Sequence, residues 1–235
     1  MPVRVIAHRG ASGTRPENTL ASFREAVALG ADMIELDVQL CRDGEVVVLH
    51  DDTLDRTTNG GGFVRDHTLA DLRRLDAGAW FGAPYAGERV PTLEEVLRAV
   101  RLPINVELKQ GGGTGLEEVT LARVQEAGAL DRIVFSSFDP AILVRLRALT
   151  ADAALAVLWT SRRLAPALEL ARRVGARALH LRKSAASREG IAAARESGLE
   201  VRLWTVNEPR QFAHLEAWGA HAVFTDYPDR FLQIR

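Results

Sequence analysis

Short apolar runs alternate with longer helical patterns along most of the chain, and this alternation restricts the fold more than any other feature of the sequence. Repeated strand–helix units predict a parallel sheet covered by helices, an α/β fold. Eight such strands close into a TIM-type (β/α)8 barrel, and a length of 235 residues suits one domain of this kind. An open parallel sheet is the alternative. The predicted barrel strands are residues 3–7, 32–38, 104–108, 133–136, 155–158, 178–181, 201–204 and 222–224.

A further apolar run, residues 45–49, follows the second strand too closely for a crossover helix. We therefore predict a β-hairpin that extends the second strand, with its turn near Asp43-Gly44. In that register, the numbers of two residues that face each other across the hairpin add up to about 87, so His50 lies opposite Asp37. Residues 52–90 have weak periodicity and are predicted to form a small, cap-like insertion within a single domain, residues 1–235.

Two helix starts can be predicted from capping residues. The first helix is expected to bury Leu20, Phe23 and Val27 on one face. Its N-cap is either Asn18 or Thr14, the latter followed by Glu17 at capping-box spacing. A later helix is predicted over residues 92–100, with Thr92 as its N-cap.

The charge balance excludes several classes of partner. The formal net charge is −1, so no overall field attracts nucleic acid or anionic lipid, and any anion must be bound by a few placed cations. Cys41 is the only cysteine, which excludes an intrachain disulfide. No apolar run approaches the roughly 18 residues of a membrane span, so no stable membrane insertion is expected. No signal peptide is recognisable, and a cytoplasmic location is the expectation.

Acidic side chains occur late in two neighbouring barrel strands. Glu35 and Asp37 are two residues apart and therefore point to the same face of the second strand, and Glu107 lies late in the third. Three carboxylates on one inward face repel one another unless a cation is bound. Oxygen ligands favour a hard divalent ion, Mg²⁺ or Ca²⁺. For any one of these acids, an ion pair with a neighbouring arginine or lysine is the alternative.

Two histidines flank this predicted acidic cluster. His8 follows the first strand and His50 follows the hairpin, so the pair is suited to general acid–base catalysis. A strand-end hydrogen bond for His8 and a surface turn for His50 are the structural alternatives. His180 is left undecided.

Positive and aromatic side chains complete the predicted rim. Arg9 and Lys109 place positive charge beside the acids, as a phosphate requires, although either can instead be a salt-bridge partner. Trp204 ends the seventh barrel strand, where it either lines the substrate site or packs against neighbouring side chains.

The glycine runs at 60–62 and 111–115 lack the Gly-Lys-Ser or Gly-Lys-Thr of a P-loop, and the second is predicted to be a flexible loop. Together these features favour a metal-assisted phosphodiester hydrolase.

Short motifs in order along nearly the whole chain resemble those of glycerophosphodiester phosphodiesterases. The motifs are His8-Arg9-Gly10, Pro16-Glu17-Asn18-Thr19, Glu35-x-Asp37, Asp43-Gly44, His50-Asp51, Arg56-Thr57-Thr58, Asn59-Gly60, Glu107-x-Lys109, Trp204-Thr205-Val206-Asn207 and Thr225-Asp226-x-Pro228. The resemblance implies a TIM-type barrel with a small insertion after the hairpin. The roles it implies are metal ligands Glu35, Asp37 and Glu107, acid–base groups His8 and His50, phosphate contacts Arg9 and Lys109, and a substrate-lining Trp204.

The same resemblance implies metal-dependent hydrolysis of small glycerophosphodiesters, such as glycerophosphocholine or glycerophosphoethanolamine, to glycerol 3-phosphate and an alcohol. Which histidine is the acid, and whether water or a substrate hydroxyl attacks first, is left open. A barrel that only binds phosphorylated ligands is one alternative. Another is a lysophospholipase D-type activity, which needs an apolar groove. The candidate groove residues are Leu54, Phe63, Trp80, Phe81 and Tyr85.

Overall fold

The computed structural model describes residues 3–109 and 115–233, and the glycine run predicted to be a flexible loop lies outside them except for Gly115. Eight parallel strands form a closed barrel, because the last strand pairs with the first. The predicted TIM-type barrel is confirmed and the open sheet was wrong. The strands within the described ranges are β1 (Arg4–Ala7), β2 (Met33–Leu40), β3 (Val46–Val48), β4 (Ile104–Leu108), β5 (Ile133–Ser137), β6 (Ala154–Trp159), β7 (Ala178–Arg182), β8 (Glu200–Trp204) and β9 (Ala222–Thr225).

Helices follow the barrel strands and cover the outside of the barrel. Two of them, in the insertion and near the C-terminus, were not predicted from the sequence. None of the helices in the described ranges is both long and apolar enough to cross a membrane. The helices described are α1 (Leu20–Leu29), α2 (Leu69–Leu72), α3 (Leu93–Ala99), α4 (Leu116–Glu126), α5 (Pro140–Leu149), α6 (Ala165–Val174), α7 (Arg188–Glu196), α8 (Phe212–Ala217) and α9 (Pro228–Leu232).

The hairpin of β2 and β3 is confirmed, but its predicted register was wrong by one residue. Val38 pairs with Val48, so paired numbers sum to 86. The loop has three residues between Cys41 and Glu45, and it ends at Gly44 in the left-handed region, φ 80°. Leu49, rather than His50, therefore faces Asp37 and donates its N–H to the Asp37 carbonyl oxygen over 3.1 Å.

The first helix begins at a residue that the sequence analysis did not choose. Thr19 is the N-cap: its hydroxyl accepts the N–H of Ser22, and the Ser22 hydroxyl accepts the N–H of Thr19. Both predicted caps, Asn18 and Thr14, were wrong. Asn18 is held at φ 55° and its side chain serves the site described below. The predicted Thr92 cap of α3 is confirmed.

The buried face of α1 also differs from the expected one. Phe23 is fully buried, as predicted, but its companion is Ala26, and Val27 is 41% exposed. Positions three and four residues after Phe23 are both neighbours of it on a helix surface, so periodicity alone does not separate them. The small side chain of Ala26 faces the interior.

The insertion has a hydrophobic core that it shares with the outer side of the hairpin. Leu54 is fully buried there, so it was wrongly assigned to a substrate groove. Phe81 contacts both Trp80 and Tyr85 edge-to-face, each at 5.5 Å between ring centroids, and Phe63 is 42% exposed. The buried members of this core are Cys41, Val47, Leu49, Leu54, Val64, Leu72, Ala77 and Val90.

The burial of α1 predicts opposite results for two substitutions on that helix. Phe23→Ala removes a fully buried ring and should lower the free energy of unfolding by about 3–5 kcal/mol. Val27→Ala changes an exposed side chain and should stay within about 0.5 kcal/mol of wild type. Urea titration followed by circular dichroism measures both. Equal losses in the two variants would contradict the observed face of α1.

Candidate active site

The turn after β1 places the motif His8-Arg9-Gly10 at the mouth of the barrel. His8 continues the ladder by donating its N–H to the Thr225 carbonyl oxygen, 2.9 Å away. Arg9 then adopts φ 57° and Gly10 φ 81°, which reverses the chain. A Cβ at Gly10 would lie 2.6 Å from the carbonyl carbon of Ser22, so only glycine fits this close approach to α1.

Three carboxylates converge inside the mouth. Asp37 of β2 pairs in register with Glu107 of β4, and Glu35 lies two residues before Asp37 on the same face. One oxygen from each lies within 4.8 Å of the others. Glu35 and Asp37 are only 2% and 1% exposed. The structure thus brings together the three acids predicted as metal ligands.

Burial and mutual repulsion change the proton affinities of these acids. Burial, followed by the charge of Asp37, raises the pKa of Glu35 and the pKa of Glu107. Burial also opposes ionisation of Asp37, but the nearby Arg9 and Lys109 outweigh it and lower the pKa of Asp37. A divalent cation would relieve the repulsion among these carboxylates and displace the protons that they retain. Because all the ligand atoms are oxygens, a hard cation fits the cluster.

Positive groups partly balance the cluster. The Arg9 backbone N–H donates to Glu35 over 2.8 Å, and its guanidinium Nε lies 3.5 Å from Asp37. Lys109 Nζ lies 2.9 Å from Glu107 and 3.5 Å from Asp37. The ion pairs considered as an alternative for single acids therefore exist. Two positive side chains face three carboxylates, so the cluster has a net negative charge when all three acids are ionised.

His8 is held by an aspartate that follows β9. Its Nδ1 lies 2.7 Å from Asp226 Oδ1. Asn207 Nδ2 donates to the other oxygen of Asp226 over 2.6 Å, and the Ser12 hydroxyl donates to Oδ1 over 3.1 Å. Burial lowers the pKa of His8, but the hydrogen bond to Asp226 and the charge of Glu35 outweigh it, so the net pKa is raised. The pKa of Asp226 falls to about 2, because His8 and Asn207 outweigh its burial.

His50 is held by the adjacent aspartate. Its Nδ1 lies 2.6 Å from Asp51 Oδ1, and Arg56 binds both oxygens of Asp51 at 2.6 and 2.9 Å. The Gln39 amide fixes this segment by donating to the carbonyl oxygens of Leu49 and Asp51. Burial lowers the pKa of His50, and the positive Arg9 acts in the same direction. The two imidazoles therefore have opposite pKa shifts.

A pocket of about 240 Å³ collects these groups. Trp204 lies in its wall, where its ring packs edge-to-face on Phe138 and its Nε1 donates to the His180 carbonyl oxygen. A second cleft of about 330 Å³ shares Glu107 and Phe138 with it and adds Lys109 and Asp52. The residues that line the first pocket are His8, Arg9, Glu35, His50, Asn105, Glu107, Phe138, Leu158, Trp204 and Phe224.

All eight residues predicted for the site therefore lie at one mouth of the barrel. Six line the pocket, Lys109 lines the adjoining cleft, and Asp37 is buried between Arg9 and Lys109. His180 is different: it is fully buried, and neither ring nitrogen has a hydrogen-bond partner within the described ranges.

Several residues that contact the site residues were not predicted to belong to the site. Asn18 Nδ2 donates to Asp37 Oδ2 over 2.9 Å, which explains why this asparagine is not a helix cap. Asn105 lies on the pocket floor and donates to the Ser136 hydroxyl. The others are Glu17, Asp51, Arg56, Asn207 and Asp226. Apart from Asn105, these residues stand inside the motifs that carried the family resemblance, which was the available signal.

Comparison with known proteins agrees with this arrangement. Residues 8–230 match the model of the "Glycerophosphoryl diester phosphodiesterase family". The protein YhdW of Bacillus subtilis is 43% identical over 231 residues, covering 96% of this chain and 95% of YhdW. The glycerophosphodiester phosphodiesterase of Caldanaerobacter subterraneus is 37% identical over 239 residues, covering 100% of this chain and 98% of that protein.

Solved structures give the same result. An Oleispira antarctica phosphodiesterase, in complex with the product sn-glycerol-3-phosphate, superposes with a TM-score of 0.90 at 36% identity, covering 98% of this chain and 95% of that one. A glycerophosphodiester phosphodiesterase from Agrobacterium tumefaciens superposes with a TM-score of 0.84 at 29% identity, covering 98% and 99%. The chain therefore belongs to the glycerophosphoryl diester phosphodiesterase family.

Proposed function

We propose that this protein hydrolyses glycerophosphodiesters to glycerol 3-phosphate and an alcohol, with a divalent cation bound by Glu35, Asp37 and Glu107. The observation that carries the proposal is the convergence of three carboxylates and two anchored imidazoles at one pocket. The product complex of the Oleispira antarctica relative supports the choice of substrate class.

The acids suit Mg²⁺ or Ca²⁺, both of which take oxygen ligands. When bound, such a cation would act as a Lewis acid towards the phosphate group. Arg9, in the pocket, and Lys109, in the adjoining cleft, add charge-assisted hydrogen bonds to a phosphate. Trp204 contributes the apolar wall for the carbon atoms of the substrate. Residues 1–235 act in this proposal as one catalytic domain, with residues 52–90 as a cap.

The histidines have separate roles in this proposal. Because Nδ1 of each ring is engaged by an aspartate, Nε2 is the nitrogen left for the substrate. Asp226 is bound by the neutral donors Asn207 and Ser12, so its charge supports a protonated His8 as the general acid for the departing alcohol oxygen. Burial and the positive Arg9 lower the pKa of His50, which suits a neutral His50 that accepts the proton of the attacking water or substrate hydroxyl group.

Chelation tests the function directly. Thorough chelation should abolish release of glycerol 3-phosphate from glycerophosphocholine, and added Mg²⁺ or Ca²⁺ should restore it. Glu35→Gln should weaken the binding of the metal, as measured by calorimetry. Glu169→Gln, an exposed acid paired only with Arg172 within the described residues, is the matched control. Full activity after chelation would refute the metal role, and no diester turnover under any condition would refute the function.

Removing either imidazole should separate chemistry from metal binding. His8→Ala and His50→Ala should each lower kcat by about 10²–10⁴-fold, because each removes one proton transfer. Metal affinity should stay at the wild-type value. His67→Ala, which among residues 3–109 and 115–233 loses only a side-chain contact to the Gly61 carbonyl oxygen, is the control. Wild-type turnover in both variants would remove the acid–base assignment.

The pKa shifts of the acids predict how metal affinity depends on pH. Glu35 and Glu107 have raised pKa values, so in the metal-free protein they hold protons at a pH where an ordinary glutamate has lost them. Metal must displace these protons, and its affinity should therefore rise with pH up to about 8, the pKa of Glu35. Calorimetry in buffers of different ionisation enthalpy measures the release. A flat affinity without proton release would contradict the raised pKa values.

A further inference from the structure

Arg56, from the start of the insertion, is bound by two carboxylates at once. Its Nε and Nη2 donate to the two oxygens of Asp51 at 2.6 and 2.9 Å. Its Nη1 and Nη2 donate to the two oxygens of Glu17 at 2.8 Å each. Both contacts are two-point contacts, which fix the orientation of the partner as well as its distance.

Each of these carboxylates also holds a side chain that lines the pocket. Asp51 engages Nδ1 of His50 at 2.6 Å. Glu17 accepts from Nη1 of Arg9 at 2.8 Å. A continuous series of hydrogen bonds therefore runs from His50 through Asp51, Arg56 and Glu17 to Arg9, and Arg56 is its central member.

We infer that Arg56 is a positioning residue that fixes His50 and Arg9 relative to each other, and that the insertion acts on catalysis through it. The inference rests on the proposed function. In that function Arg9 contacts the phosphate and His50 accepts the proton of the nucleophile. The separation of these two groups then decides whether the nucleophile and the phosphorus meet at the right distance.

The chemistry of the guanidinium group makes this position specific. An ammonium group is a point charge and cannot bind two carboxylates in two planar, two-point contacts. Without Arg56, the carboxylates of Asp51 and Glu17 would be left beside each other with like charge. Asp51 would then be free to rotate away from His50, and Glu17 from Arg9.

A stabilising role must be separated from a positioning role by experiment, because bidentate ion pairs in a network can add to folding stability although the Arg56 side chain is 44% exposed. Arg73 gives a matched comparison, because it lies in the same insertion, is 34% exposed and pairs with Glu95 at 2.7 Å, outside the site. Arg73 contacts neither Asp51 nor Glu17 in the described part of the chain.

The test compares Arg56→Ala, Arg56→Lys and Arg73→Ala with wild type on glycerophosphocholine. We expect kcat to fall about 10–100-fold in Arg56→Ala, with unchanged metal affinity and an unchanged urea midpoint. Arg56→Lys should recover only a small part of the loss. Guanidinium ion at millimolar concentration, far below denaturing levels, should restore part of the activity of Arg56→Ala. Arg73→Ala should behave as wild type, with or without guanidinium.

A second readout does not depend on turnover. The imidazole N–H proton resonance of His50, observed by NMR, should broaden or move in Arg56→Ala and stay in place in Arg73→Ala. Wild-type kcat together with an unchanged resonance in Arg56→Ala would overturn the inference. So would a loss of activity that guanidinium does not restore and that follows a lowered urea midpoint. Failure of the wild-type protein to hydrolyse any diester would instead refute the proposed function.

Discussion

The site depends on the cost of burying three like charges within 4.8 Å of each other. No single neighbour offsets that cost. Arg9 contributes its backbone N–H and its guanidinium group, Lys109 contributes an ammonium group, and Asn18 contributes an amide to Asp37. Arg9 and Asn18 come from the loop between β1 and α1, and Lys109 follows β4, so they meet where β1, β2 and β4 lie side by side. The pairing of these strands therefore sets the charge balance of the site.

Much of this arrangement follows from the sequence because it depends on period and count. Glu35 and Asp37 must share a face because they are two residues apart on a strand. Glu107 joins them because the third barrel strand lies beside the second. The predictions that were wrong concern places where two local interactions compete for one residue or one turn. Asn18 is a good cap by type, but Asp37 takes its side chain, and one loop residue at the hairpin turn moves the register so that Leu49 replaces His50.

The partners of the histidines lie beyond what a single sequence can give. Asp226 is 218 residues from His8, and Arg56 is 39 residues from Glu17. The periodicity of a strand or helix does not predict contacts between residues so far apart in the sequence. Acidic residues and arginines are also common in this chain, so no single pairing stands out. The family resemblance marked these positions as part of motifs, but a motif does not state what its members touch. Only the closed barrel and the packed insertion show the contacts.

The two histidine–aspartate pairs show how the surroundings of a pair can set its chemistry. In both, the aspartate binds Nδ1 at nearly the same distance, 2.7 and 2.6 Å. Asp226 is held by an amide and a hydroxyl group, whereas both oxygens of Asp51 are held by the guanidinium of Arg56, which also binds Glu17. The pKa of His8 is raised because Asp226 and Glu35 outweigh its burial, whereas burial, together with Arg9 and Lys109, lowers the pKa of His50. The insertion that supplies Arg56 is therefore linked through Asp51 to a histidine that lines the pocket.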